Sequence, residues 1–181
     1  MSPAENPILI VTGPPGVGKT TAAGILASRS TRSVHLEADA FFHFISSGFV
    51  EPWKAESHAQ NRAVMRIVGQ AAAGYAAAGY FTIVEGIVIP GWFYEPLREA
   101  LHDAGHAVAY AVLRAPLSVC AERVQGREGQ QLSDAGAIEQ LWRSFSDLGD
   151  LERNVVEADG MEPEEVSESL ASRLEDGLLR V

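Results

Sequence analysis

A single cysteine, Cys120, stands in 181 residues. The chain can therefore close no disulfide on itself, and a reducing cytoplasm is the expected location. Cys120 falls in an apolar helical stretch and reads as a small buried hydrophobe, not a reactive thiol. Basic charge is also scarce: Lys and Arg total 14 against 24 Asp and Glu, a net charge of −10. Such a surface repels phosphate backbones, which argues against nucleic acid as a partner and for a small molecule. No run approaches the roughly 18–20 consecutive apolar residues of a membrane helix, so no membrane partner is expected. The first residues, MSPAENPILIV, put no basic segment ahead of their short apolar run, which reads as a first strand and not as a leader. No histidine stands at metal-ligand spacing from a partner. His43 and His58 have none, and His102 and His106 straddle Gly105, so they do not share a helical face.

What the chain does have is an alternation of strand-like and helix-like segments within an ordinary composition, 46% hydrophobic and 21% charged. Strands are expected at 8–12, 33–37, 81–85, 107–113 and 155–158. Helices are expected at 20–28, 57–79, 95–104, 116–124, 133–148 and from Pro163 onward. In the long helix, Ser57 and Gln60 have the spacing of a capping box, and Val64, Ile67, Val68, Ala71 and Tyr75 are expected on one face. Ser133 or Asp134 is expected to cap the helix that follows a glycine- and glutamine-rich patch at 126–131. Pro163 suits a first helical turn, with Val166, Leu170 and Leu174 on one stripe. Five strands separated by helices imply right-handed crossovers and an α/β fold, a parallel sheet covered on both faces. No repeat, low-complexity tract or linker interrupts it, so one domain over 1–181 is expected.

The strongest motif is Gly13-Pro14-Pro15-Gly16-Val17-Gly18-Lys19-Thr20, a match to G-x-x-x-x-G-K-[ST] between an expected strand and an expected helix. Glycines let backbone N–H groups turn inward around phosphates. Lys19 reaches the β- and γ-phosphates in such a loop, and the Thr20 hydroxyl ligates Mg²⁺. The helix that begins there, with Thr21 in its first turn, adds the positive end of its dipole. ATP and Mg²⁺ are the expected cofactors.

In an open parallel sheet, ligands sit beyond the carboxyl ends of the strands. Glu37 and Asp39 follow the second strand, and Glu85 ends the third, FTIVE, which has the shape of a Walker B segment. Glu85 is thus a candidate for holding Mg²⁺, directly or through a bound water. Transfer of a phosphoryl group to an alcohol benefits from a carboxylate that takes the hydroxyl proton; Asp39 is the first choice and Glu85 the second. Arg123 and Arg127 lie about one helical turn apart beside the 126–131 patch, where a mobile arginine can spread charge off a transferring phosphoryl group. Arg127 is preferred, and a solvated helix end is the alternative for each. The irregular stretch 39–62 carries Phe41, His43, Phe44, Trp53, His58, Asn61 and Arg62. Aromatics with a few polar groups describe a small-molecule pocket, although Phe41, Phe44 and Trp53 fit core or lid packing equally well. Asp39, His43, Trp53, Asn61 and Arg62 are the candidate acceptor contacts.

With GPPGVGKT, the LEAD segment ending at Asp39, the IVEG segment at Glu85 and LRAPLSVCAERVQGRE, the chain resembles the P-loop kinases of small molecules over nearly its whole length. It is similar to a group of AAA-like ATP-binding proteins near chloramphenicol phosphotransferase, with gluconate, shikimate and adenylylsulfate kinases as more distant cousins. The resemblance implies a three-layer P-loop NTPase fold with five strands in order 2-3-1-4-5 and a short lid. It implies MgATP as donor, an aspartate acting on the acceptor hydroxyl (here Asp39), and lid arginines (here Arg123 and Arg127). It also implies that adenine lies near those arginines and residues 158–162. Glu85 replaces the aspartate commonly found at its position. Nothing in 39–62 identifies a chloramphenicol-like acceptor.

Two functions follow from different classes. The first is a phosphotransferase acting on a hydroxyl of a small molecule. The second is a nucleotide-dependent regulatory or binding module without an acceptor. The candidate acids and lid arginines favour the first. No N-K-x-D guanine signature appears, and Glu85 is followed by glycine instead of the second acid of ring ATPases. A nucleoside monophosphate kinase stays open, although 39–62 offers few arginines for a second phosphate.

Overall fold

The computed structural model describes residues 7–126 and 135–181. Five parallel strands form one sheet in the order β2-β3-β1-β4-β5. They are β1 (Ile8–Thr12), β2 (Ser33–Glu37), β3 (Phe81–Glu85), β4 (Val108–Arg114) and β5 (Val155–Glu157). Every residue of β1 is buried, as a strand covered on both faces requires, and this explains its unbroken apolar run. Among the described residues, seven α-helices connect and cover the strands: α1 (Lys19–Ser28), α2 (Ala38–Phe42), α3 (His58–Ala77), α4 (Tyr94–Asp103), α5 (Leu117–Gln125), α6 (Ala135–Arg143) and α7 (Pro163–Glu175).

The sheet separates two apolar layers. On one face Val64, Met65 and Val68 of α3 meet Leu97 and Leu101 of α4 over Ile8, Ile10 and Tyr110. On the other, Ala22, Ala23 and Leu26 of α1 meet Val166 and Leu170 of α7 over Leu9 and Val11. Gly69 permits the α3–α4 contact, because a Cβ there would lie 2.7 Å from the Ala100 Cβ. Short β5 pairs only with residues 112–114 of β4, and the chain end covers the rest of that edge. Tyr110 N–H donates to Leu179 O at 2.8 Å and Val181 N–H to Val108 O at 3.2 Å. Buried Asn154 ties the three segments together, its amide donating to both Tyr110 O and Leu179 O.

The expected architecture and strand order hold, and three local expectations are corrected. The α3 face that packs on the sheet is Asn61, Val64, Met65, Val68, Gly69, Ala72, Ala73 and Ala76. Ile67 and Tyr75 are 51% and 44% exposed, so they lie outside that stripe. Small residues won the buried stripe because α4 and the sheet approach too closely for larger ones. Ser57 and Gln60 form no capping box: Ser57 makes no cap hydrogen bond, and both side chains turn back onto the preceding loop. The sixth helix stops at Arg143, short of the expected Leu148. Its expected caps, Ser133 and Asp134, lie outside the described residues. No helix among the described residues is long and apolar enough to cross a membrane.

Candidate active site

β1 delivers the chain into a loop that only glycine can trace in three places. Gly13, Gly16 and Gly18 have φ of 146°, 80° and 102°, in the region where a Cβ collides with the backbone. Space adds a second demand at two of them. A Cβ on Gly13 would stand 2.3 Å from Leu113 O, and one on Gly16 2.2 Å from Cys120 O. The loop therefore lies flat on the end of β4 and on α5. Gly18 is the N-cap of α1, so the first free N–H groups of that helix face the loop. Lys19 folds back across it, its Nζ donating to Pro14 O at 3.1 Å. Thr20 and Thr21 are exposed in the first turn of α1. Arg123 on α5 borders the loop: a Cβ on Gly18 would lie 4.0 Å from Arg123 Nη1. Arg127 lies outside the described residues. Cys120 is fully buried under the loop, and that burial pushes its thiol pKa up.

Sheet register brings the acids to the same place. Glu85 is paired with Val11 on one side and with Glu37 on the other, at the carboxyl ends of β1, β3 and β2. Burial opposes the charge of Glu85. The adjacent His35 ring, the nearby Lys19 ammonium and the Thr20 hydroxyl outweigh it and hold the carboxyl below its ordinary value. His35 Nε2 stands 3.6 Å from Glu85 Oε2. Asp39 sits in the first turn of α2, whose N-cap is Glu37. Gly86 lets α2 close over the end of β3, since a Cβ there would be 3.0 Å from the Ala38 Cβ and 3.7 Å from Asp39 Oδ1. Asp39 stays open to solvent at the mouth of the cleft; partial desolvation there raises its carboxyl above its ordinary value, Lys19 and His43 pull it down, and Glu85 and Glu37 push it further up. Two carboxylates in one site thus shift in opposite directions, the pattern that separates an ionised ligand from a proton acceptor.

These groups share one cavity of about 810 Å³ with the irregular segment after β2. Pro15, Gly16, Lys19, Thr20, Glu37, Asp39, His43, Trp53 and Glu85 all line it. Asn61 and Arg62 are not among its lining residues. Arg62 is a surface side chain 3.9 Å from Glu99 on α4. Asn61 is buried beneath the loop and donates to Pro52 O at 2.7 Å and to Ser57 Oγ at 2.8 Å.

The segment after β3 was not singled out by sequence reasoning, yet Ile87, Trp92 and Phe93 form part of the cavity wall. Its aromatic cluster, following directly on a strand-end acid, was the available signal. Two buried hydroxyls pin this segment at Val88. Val88 N–H donates to Thr12 Oγ1 at 2.8 Å, and Tyr110 OH donates to Val88 O at 2.7 Å. Tyr110→Phe leaves a buried carbonyl unpaired and should cost about 1–3 kcal/mol of unfolding free energy, read by urea denaturation.

The donor set suits Mg²⁺ held mainly by nucleotide phosphates. Thr20 and Glu85 offer two oxygens lining the same cavity, and such an ion needs only one or two protein ligands. Among the described residues no cluster of three or more His, Cys, Asp or Glu could cage a metal unaided.

No curated protein matches the sequence. Among solved structures, the Deinococcus radiodurans tunicamycin resistance protein superposes with a TM-score of 0.72 at 24% identity, covering 98% of this chain and 99% of that one. A gluconokinase from Sinorhizobium meliloti gives 0.69 at 18% identity, over 95% and 93% of the two chains. The Mycobacterium tuberculosis APS kinase in complex with AMPPNP and APS gives 0.69 at 20% identity, over 94% and 98%. At these identities the likeness is one of fold, and the fold is that of the P-loop kinases. A family model described as an AAA domain matches residues 9–140, from the strand that feeds the phosphate-binding loop to α6. The chain belongs to the AAA domain family.

Proposed function

We propose that the protein is an ATP-dependent phosphotransferase, the whole chain serving as one catalytic domain that moves the γ-phosphoryl group of MgATP to a hydroxyl of a small molecule. The observation that carries this reading is the meeting of Lys19, Glu85 and Asp39 in one cavity, with the two carboxyl pKa values displaced in opposite directions.

Residues 13–20 and the start of α1 bind the triphosphate through backbone N–H groups, and Thr21 belongs to the same turn. Lys19 neutralises the β- and γ-phosphates. Thr20 and Glu85, kept ionised by its neighbours, hold Mg²⁺ directly or through water, and the ion supplies charge stabilisation on the phosphate oxygens. Asp39 orients the acceptor hydroxyl and takes its proton. The acceptor oxygen gains a bond to the γ-phosphorus as the bond from that phosphorus to the β–γ bridging oxygen breaks, and ADP leaves. Arg123, beside Gly18, and Arg127 stabilise the charge spread over the transferring group. His43 and Trp53 contact the acceptor. Asn61 acts on it only through the loop it holds. The two neighbours named as kinases support this reading, the APS kinase having been seen with a nucleotide analogue and APS together.

The test is ATP turnover against a panel of sugars, polyols, nucleosides and hydroxylated antibiotics, with phosphorylated product read by mass spectrometry. One or more alcohols should raise turnover and gain one phosphoryl group. Tight ATP binding with no acceptor-dependent turnover would sink the proposal.

A further inference from the structure

The acceptor half of the cavity has its own chemistry. Trp53 and Phe49 line it although they are 66% and 45% exposed. Burying apolar rings is worth about 25 cal/mol per Å², so rings left open to solvent are a reserve released when something covers them. They are also held in place. Gln60 grips the backbone of Val50 from both sides, accepting from its N–H at 2.9 Å and donating to its carbonyl at 2.7 Å. Asn61 and Ser57 both donate to Pro52 O at 2.7 Å. Polar side chains from α3 and its entry turn thus fix the backbone between two exposed rings. Trp92 and Phe93 line the same cavity and stack at 4.2 Å with planes 15° apart. Flat apolar surfaces set in fixed positions suit a flat apolar ligand.

Charge supplies the second half of the argument. Among the described lining residues the carboxylates are Glu37, Asp39, Glu51 and Glu85, and the one Lys or Arg is Lys19. Glu51 is paired with Lys54 at 2.6 Å, which leaves three carboxylates against one ammonium. Lys19 is bent over the phosphate-binding loop, so a bound nucleotide engages it and brings more negative charge than its Mg²⁺ offsets. An acceptor bearing phosphate or carboxylate would enter that field at a cost, whereas an amine would gain from it and from the faces of the tryptophans.

We infer that the acceptor is a neutral or amine-bearing alcohol with a flat apolar ring and no anionic group. The inference rests on the phosphotransferase reading for the word acceptor, but the ligand class can be tested by binding alone. The protein saturated with a non-hydrolysable ATP analogue and Mg²⁺ is titrated with phenylethanediol and with its para-aminomethyl and para-carboxy derivatives. Quenching of tryptophan fluorescence is the readout, since Trp53 and Trp92 line the cavity. The neutral and amine forms should bind at least about tenfold more tightly than the carboxylate, and Trp53→Ala should weaken the first two by a similar factor. Replacing Glu37 by Gln should narrow the preference over the carboxylate while the neutral form still binds. Equal or tighter binding of the carboxylate overturns the inference, and so does absence of binding by all three at millimolar concentration. Binding in the expected order with no phosphorylated product in an ATP assay sinks the phosphotransferase reading and leaves the ligand class standing.

Discussion

Asp39→Asn should leave ATP binding unchanged and lower acceptor-dependent turnover by about 10²–10⁴-fold, the range for loss of a positioned general base. Asparagine keeps the size and hydrogen-bonding reach of the side chain but cannot take the hydroxyl proton. The pH profile gives a second readout. Desolvation and the neighbouring Glu85 and Glu37 raise the Asp39 pKa above its ordinary value, so wild-type turnover should fall on the acid side at a higher pH than an ordinary aspartate would give, and the variant should lose that inflection. Stability runs the other way. In the window between the unfolded and the raised folded pKa, the native state holds the proton that the unfolded chain has released. The contribution of Asp39 is then fully present below the unfolded pKa and is lost as pH rises through the folded one. At neutral pH, Asp39→Asn should accordingly be neutral or mildly stabilising in thermal unfolding. A variant with near wild-type turnover would remove Asp39 from the role of base.

Gly16→Ala should be far more damaging than Gly18→Ala, although both place a side chain on left-handed backbone. The conformational penalty, about 1–2 kcal/mol, is shared. Only Gly16 adds a collision, its new Cβ standing 2.2 Å from Cys120 O and 3.0 Å from Val124 Cγ2, while nothing approaches nearer than 4.0 Å at Gly18. The α5 backbone cannot yield as a flexible side chain could, and overpacking costs a further ~1–3 kcal/mol. Gly16→Ala should lose about 3 kcal/mol or more, a fall in Tm on the order of 10 °C for a chain of this size, with nucleotide affinity falling alongside. Gly18→Ala should lose only the smaller share. Calorimetry of both variants decides the matter, and equal losses would show that the close fit of the loop on α5 carries no weight.

The same contrast separates what could be read along the chain from what could not. Local patterns were sufficient for the strands, because each is a short apolar run bounded by turn residues, and β1, β2 and β3 fall within the expected limits. The 13–20 loop was legible for a similar reason: a phosphate-binding loop is built from consecutive backbone groups, so the whole motif lies in eight adjacent letters. The α3 face was misread because apolar character alone put Ile67 and Tyr75 inward. Close approach of α4 selected small residues instead, and that distance is set by another part of the chain. Asn61 and Arg62 had the chemistry of acceptor contacts, yet helix phase turned one under the loop and the other to the surface beside Glu99.

The sequence by itself determined the alternating architecture, the nucleotide loop with Lys19 and Thr20, and the strand-end positions of Asp39 and Glu85. Short-range backbone and side-chain patterns suffice for all of these. Tertiary structure alone decided how the acids differ. Register places Glu85 between β1 and β2, where His35, Thr20 and Lys19 favour its charge, while α2 carries Asp39 into a cleft where lost hydration opposes it. Only tertiary structure, too, brought Trp92 and Phe93 to the same cavity as Trp53, because the walls of a site are neighbours in space and strangers along the chain.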